Sequence, residues 1–333
     1  MKNKGYLLTQ AGQFQLVEAS LTTDKIPEHS TLIQIEYCGI CGGDYSCYLG
    51  RRPGYPKSLG HEFVGTVLSV GGKVSLVQVG DFVVSDLNYR CGECEYCKTG
   101  KSHLCTYNNA ERFTNRAFFQ YTIIDETYLY RTTLPPTFLY RAALIEPLSC
   151  VIHSYDQLKK FNWSSLLING CGSIGTLLCF YLTQVLNARN LSVYDINYHR
   201  SSALSKYFGV NCVRSLSEEM FDSVYECTNS TAGMEASLQS IKRNGVACIF
   251  SHIYGEETSF IYEMICRKEL QTLFPLRNGS AKNIRAAIHY IETYWQPQMD
   301  RLIGIYTFDD FKNVFRKKNQ IGFNKQVIKM HMV

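Results

Sequence analysis

The chain has no block of five or six like charges, and its 34 lysines and arginines against 29 acidic residues leave a net charge of only +5. A sequence so balanced offers neither a nucleic-acid surface nor a polybasic membrane anchor. The opening residues, Met1-Lys2-Asn3-Lys4-Gly5-Tyr6, are partly basic but lack the long apolar stretch of a signal peptide. The most hydrophobic segment, Leu166 to Leu182, is interrupted after four residues by Gly170, Gly172 and Gly175, so it reads as a strand and a helix and not as a membrane span. Internal repeats and low-complexity tracts are absent, and the basic cluster Arg316-Lys317-Lys318 reads as a solvated helix end. What is there is an ordinary globular balance, 45% hydrophobic and 19% charged, over 333 residues, more than one hydrophobic core usually spans. Two domains are expected.

Cysteine is abundant. Of fourteen, Cys91, Cys94, Cys97 and Cys105 form a C-x2-C-x2-C-x7-C array, a spacing that lets four thiolates converge on one ion. The array reads as a closed structural zinc site; a disulfide pair or reduced surface thiols are the alternatives. A nucleic-acid-binding zinc module is disfavoured by the low net charge and the lack of a basic recognition helix. A tetrathiolate site has no open position, so catalysis must lie elsewhere. A second, mixed set supplies that place: Cys41 in Gly39-Ile40-Cys41-Gly42-Gly43-Asp44, His61-Glu62, and Glu146 in Ile145-Glu146-Pro147-Leu148. Singly, each is more simply a core residue; together they have the composition of a catalytic zinc with room for water or substrate. Nine cysteines remain after Cys41 and the array are set aside, scattered mostly among apolar neighbours as in a protein kept reduced, and a cytoplasmic location is expected.

Leu166-Leu167-Ile168-Asn169 reads as a buried strand, Gly170-Cys171-Gly172-Ser173-Ile174-Gly175 as a tight turn, and Ile174 to Val185 as the helix it opens. Gly170 permits the turn, Gly172 lets the backbone approach a pyrophosphate, and Gly175 lets helix and strand pack closely. The phosphates then meet free amides at the positive end of the helix. A second strand, Leu191-Ser192-Val193-Tyr194, ends on Asp195, whose carboxylate suits ribose hydroxyls and repels an extra phosphate, so NAD is favoured over NADP. A simple turn role for Asp195, and positive charge from His199 and Arg200 towards a phosphate, remain open. Ser223 to Thr228 and Gly245 to Phe250 read as later strands, with Ala232 to Arg243 as the helix between them. The result is an α/β, doubly wound parallel sheet of the Rossmann kind. The N-terminal half, with short runs such as Leu32 to Tyr37 and Phe63 to Leu68, is β-rich. The expected division is 1–150 as a β-rich catalytic domain with the zinc sites, 151–293 as the dinucleotide-binding domain, and 294–333 as a return to the first.

In order along nearly the whole chain, these motifs, with Gly60-His61-Glu62, Gly80-Asp81-Phe82-Val83 and Glu146-Pro147-Leu148-Ser149, resemble those of the zinc-dependent medium-chain alcohol dehydrogenases, most closely the sorbitol dehydrogenase-like polyol branch. The resemblance implies a GroES-like catalytic domain with a structural-zinc lobe, two zinc ions per chain, and a homodimer or homotetramer. It implies that Cys41, His61 and Glu62 bind the catalytic zinc, that Glu146 ligates it or holds its water, and that Asp44 orients the histidine. The implied reaction is oxidation of a secondary alcohol (polyol, sugar, sugar acid or cyclitol) to a ketone with hydride passed to NAD and zinc as the Lewis acid. Many relatives carry Ser or Thr at the place of Gly43 and His at that of Ser46, so the proton relay is depleted here and must use water, Ser46 or Glu146, or else turnover is slow or absent. Arg277-Asn278 resembles a stretch in dehydrogenases of sugar acids and cyclitols; a surface turn with no substrate role is the alternative. The competing functions are an NADPH-dependent ketone or aldehyde reductase and an inactive zinc- and nucleotide-binding relative.

Overall fold

The computed structural model describes residues 1–22, 26–86, 90–107, 117–253, 259–317 and 324–331. The N-terminal half is built on a seven-stranded sheet in the order Ile303–Tyr306, Lys325–Lys329, Ser30–Gly39, Glu62–Val70, Phe82–Ser85, Leu129–Arg131, with Tyr121–Asp125 also pairing with Ser30–Gly39. Alternation explains the central strand: Ile33 and Ile35 point into the core at 0% exposure, while Gln34 and Glu36 stay half-exposed. Register then does the positioning, because Gly39 pairs with Glu62 on one side and with Val327 on the other. The ends of three strands are thereby brought together. A smaller sheet, Gln13–Ser20, Lys2–Gln10 and Lys57–Ser58, packs nearby, and an aromatic cluster in this half includes Tyr6 stacked on Phe311 at 4.2 Å.

The middle of the chain forms a six-stranded parallel sheet ordered Asn211–Cys212, Leu191–Tyr194, Leu166–Asn169, Phe221–Glu226, Ile241–Ile249, Gln271–Leu273. In sequence order that is 3-2-1-4-5-6, the arrangement of a dinucleotide-binding fold with its ligand crevice where the order reverses. Leu166, Leu167 and Ile168 are wholly buried, as a strand covered on both faces requires. The helix Ile145–Leu158 leads from one half into the other, and the strands Ile303–Tyr306 and Lys325–Lys329 return to the first sheet. No helix among the described residues is long and apolar enough to cross a membrane.

Two local expectations are corrected. The helix expected to run to Arg243 spans Thr231–Ser240, and Ile241 already belongs to a strand because its buried side chain pairs with Phe221. The helix after the glycine turn is α-helical over Ser173–Phe180 and then widens to a π-helical turn at Tyr181–Val185. There the Thr183 hydroxyl donates to the Cys179 carbonyl and competes with the backbone ladder. Arg316 ends the helix Phe311–Arg316, Lys317 follows it, and Lys318 lies outside the described residues.

Candidate active site

The helix Gly42–Tyr48 begins where the strand Ser30–Gly39 leaves the sheet, and its cap is made from candidate ligands. Cys41 Sγ accepts from the Gly43 amide at 3.4 Å, and Asp44 accepts the Cys41 amide at 3.0 Å. This fixes the thiol beside the end of the strand that starts at Glu62. The donor atoms of Cys41, His61 and Glu62 all lie within 4.8 Å of one another, a thiolate, imidazole and carboxylate set suited to zinc. Asp44 Oδ1 lies 3.8 Å from His61 Nδ1, within ion-pair reach of the ring. Burial opposes charge on His61, yet Asp44, Cys41 and Glu146 around it raise its pKa well above the usual imidazole value.

Glu146 enters from the first turn of the helix Ile145–Leu158. It is not one of the three converging groups, but it feels the charges of His61, Glu62 and Lys325. Burial lifts its carboxyl to about 7, with His61 pulling the other way and Glu62 adding to the rise. Cys150, one turn along, places Sγ 3.7 Å from Glu146 Oε1. Ser46, also buried, donates to the Gly42 carbonyl at 3.1 Å and accepts from Asn229 Nδ2 at 3.3 Å. Neither bond leads towards the metal-binding set.

Lys325 is a site residue that the sequence does not mark as one. It is 1% exposed and pairs with Glu62, and its Nζ is also 3.4 Å from the Ile40 carbonyl. A Cβ on Gly39 would meet both Glu62 and Lys325 within 3 Å, so the bare backbone there makes room for the pair. A lysine beside the apolar run Val327-Ile328 is the only sequence signal. Asn324, next to it, donates Nδ2 to the Cys171 carbonyl at 2.6 Å and so ties the glycine turn to the catalytic half.

The other cysteines converge as the array implied. Cys91 and Cys97 sulfurs are 4.0 Å apart and those of Cys94 and Cys105 3.8 Å, close to the ~3.8 Å edge of a tetrahedron with zinc at about 2.3 Å from sulfur. Backbone amides of Cys97 and Thr106 lower the Cys94 thiol to about 6, while desolvation and the neighbouring thiols raise that of Cys97. With two ligand sets of different kinds, purified protein should contain close to two zinc ions per chain, and a mild chelator should abolish activity before fold. One tightly bound zinc, measured by elemental analysis in protein never exposed to chelator, would remove one set.

At the crevice of the parallel sheet, Gly170 adopts φ 99° and a Cβ there would lie 2.8 Å from the Cys227 backbone; one on Gly175 would lie 2.1 Å from the Gly170 carbonyl. Above Gly172 there is open space, and the Ser173 hydroxyl is buried without a partner. Open backbone beside an orphaned donor fits a pyrophosphate at the start of the helix Ser173–Phe180. Ile174, in that first turn, packs partly buried against the core. Asp195 accepts the Cys171 amide at 2.7 Å and the Asn197 amide at 2.8 Å, and Arg200 is near enough to Cys171 to lower its thiol against the stronger effect of burial.

Fold and ligand sets define a zinc-dependent oxidoreductase of the alcohol and polyol dehydrogenase type, moving hydride to or from a nicotinamide dinucleotide. Residues 27–135 match the alcohol dehydrogenase GroES-like domain. Over 267 residues, 73% of each chain, the protein is 31% identical to D-arabitol-phosphate dehydrogenase of Enterococcus avium. It is 30% identical to sorbitol dehydrogenase of Bacillus subtilis over 250 residues, 69% of this chain and 70% of that one. In fold it is similar to galactitol-1-phosphate dehydrogenase from Escherichia coli, with a TM-score of 0.81 at 20% identity over 98% of this chain and 99% of that one. The chain belongs to the zinc-binding medium-chain dehydrogenase/reductase family and is related within it to the sugar and polyol dehydrogenases.

Proposed function

We propose that the protein oxidises a secondary hydroxyl of a polyol or sugar-like substrate to a ketone, with NAD as the hydride acceptor. The observation that carries this is the convergence of Cys41, His61 and Glu62 with Glu146 at their side, its carboxyl held near neutrality. Zinc, when bound by those three ligands, supplies Lewis-acid polarisation of the substrate oxygen. The chain's own groups do the rest. Asp44 steadies the His61 ring through Nδ1. Glu146 takes up the hydroxyl proton, because Ser46 is committed to Gly42 and Asn229 and Gly43 has no side chain. Gly170, Gly172, Ser173, Ile174 and Gly175 cradle the dinucleotide phosphates, with Asp195 and Arg200 at its ribose end. That similar proteins act on arabitol phosphate and on sorbitol supports a polyhydroxylated substrate.

The domain division at about residues 150 and 293 fits this reading, with the cleft between the halves as the place of reaction. We also place the protein in the cytoplasm, since all fourteen cysteines are free thiols, and read it as a homodimer or homotetramer. Support for assembly comes from the rim strand Gln271–Leu273, which is followed by Phe274 at 63% exposure.

Cofactor choice tests the reading. Asp195 should make NADH bind more tightly than NADPH in a fluorescence titration, and Asp195→Ser should narrow or reverse the gap by removing repulsion and ribose hydrogen bonds together. A preference for NADPH in the unaltered protein would sink the role given to Asp195.

A further inference from the structure

Where the strand Phe221–Glu226 leaves the parallel sheet, the chain lies against the glycine turn: the Cys227 amide donates to the Asn169 carbonyl at 2.8 Å, and a Cβ on Gly170 would lie 2.8 Å from the Cys227 backbone. Two residues further on, Asn229 has a left-handed backbone, φ 57°, which asparagine tolerates better than most residues with a side chain and glycine adopts without steric cost. Such a conformation persists when the surroundings hold it. They do so at every polar atom that Asn229 has. Its amide donates to Ser251 Oγ at 2.6 Å and its Oδ1 accepts the His252 amide at 3.3 Å, both in the parallel-sheet half. Its carbonyl accepts from Arg51 Nη1 at 3.3 Å and its Nδ2 donates to Ser46 Oγ at 3.3 Å, both in the half that carries the metal-binding set.

The chemistry of the partners fixes the direction of each bond. A backbone amide only donates, so the Asn229 side-chain oxygen faces His252 and its nitrogen faces Ser46. A backbone carbonyl only accepts, so the Ser46 proton goes to Gly42 and the hydroxyl oxygen is left to accept from Asn229. One directed chain, His252 to Asn229 to Ser46 to Gly42, therefore runs from the end of the parallel sheet to the first turn of the helix Gly42–Tyr48. That turn is where Cys41 is fixed, through the Gly43 amide and Asp44. The Arg51 amide donates to the Ser46 carbonyl at 3.0 Å, so the two anchor points in the catalytic half are themselves joined. Ser46 is 2% exposed, which makes the loss of its partner costly.

We propose that Asn229 is a positioning residue for hydride transfer, holding the dinucleotide crevice in register with the helix that fixes Cys41, so that occupancy of the crevice is felt at that helix. It touches no reacting atom and acts through Ser46 and Arg51. Transfer of hydride between groups held by different halves depends on the spacing of those halves, and a misplacement of about 1 Å costs on the order of a hundredfold in rate. This role rests on the dinucleotide-binding reading above and is indifferent to which alcohol is oxidised.

Hydrogen exchange read by mass spectrometry on the zinc-loaded, full-length protein, with and without saturating NADH, tests the role. NADH should slow exchange in peptides covering residues 42–51 as well as in those covering the glycine turn. Asn229→Gly suits the left-handed backbone and deletes only the side-chain bonds; it should abolish the NADH-dependent slowing at 42–51 and leave that at the turn. Ser46→Ala, which removes the same bond from its other end, should do likewise. With sorbitol and excess NAD, Asn229→Gly should lower kcat by about 10- to 100-fold. NADH affinity should change by no more than about tenfold, the scale of one neutral hydrogen bond. The pair of substitutions should cost no more than either alone, because they break one contact. Slowing at 42–51 that survives Asn229→Gly, or that is missing in the wild type, overturns the role. Additive losses in kcat would trace them to other contacts and reject it as well, and a rise in kcat would show that the bond restrains Ser46 and does not position the halves. Sorbitol left unoxidised by the wild type would sink the polyol reading alone, since the exchange measurement needs only NADH.

Discussion

Lys325→Met is expected to lower the stability of zinc-free protein by about 3–5 kcal/mol, because it leaves the Glu62 carboxylate buried at 2% exposure without its cation. Methionine nearly matches the volume of the lysine stem, so lost packing contributes little. The loss should shrink when zinc is bound, since the metal would supply positive charge to the same carboxylate. Urea unfolding of wild type and variant, each with chelator and with zinc, reads the difference directly. Equal losses in the two conditions would show that Glu62 does not face the metal site, and Cys41 and His61 would need another partner.

Glu146→Gln should lower turnover on the order of a hundredfold or more, with a much smaller change in NADH affinity. Glutamine keeps the shape but cannot take up a proton, and Ser46, locked between Gly42 and Asn229, offers no substitute. Gly43→Ser in the same background is informative: a Cβ there meets Arg52 and Cys41 at ordinary contact distance, so a hydroxyl fits. Partial recovery of rate by the added serine would place the lost function in proton transfer. Full activity of Glu146→Gln by itself would make Glu146 structural and remove the main support for polyol oxidation.

The parts of this site that can be read from sequence are those written locally. Four cysteines within fifteen residues and three glycines within six carry their geometry in their spacing, and the parallel sheet follows from strands alternating with helices. The parts that cannot be read are long-range. Lys325 stands 263 residues from Glu62, and nothing local marks it as anything other than a strand residue. Asn229 reaches Ser46 across 183 residues, and Asn278 reaches Asp86 across 192. The early end of the helix at Ser240 has the same origin, because the pairing of Ile241 with Phe221, not local propensity, decides where the strand starts. Relay chemistry misleads for the opposite reason: Ser46 carries the right hydroxyl, and only its bonding partners withdraw it.

The strand Lys325–Lys329 fills the gap between the edge strand Ile303–Tyr306 and Ser30–Gly39, although it is the last strand among the described residues. During synthesis from the N-terminus, Tyr37–Gly39, beside the part of the same edge that pairs with Tyr121–Asp125, must wait for its partner until almost all the rest has been made. Its arrival delivers Asn324 to the glycine turn and Lys325 to Glu62 in adjacent residues. One late event therefore gives the nucleotide turn its Asn324 tie and Glu62 its buried cation, and a ribosome stalled before residue 324 would carry a polypeptide with neither contact.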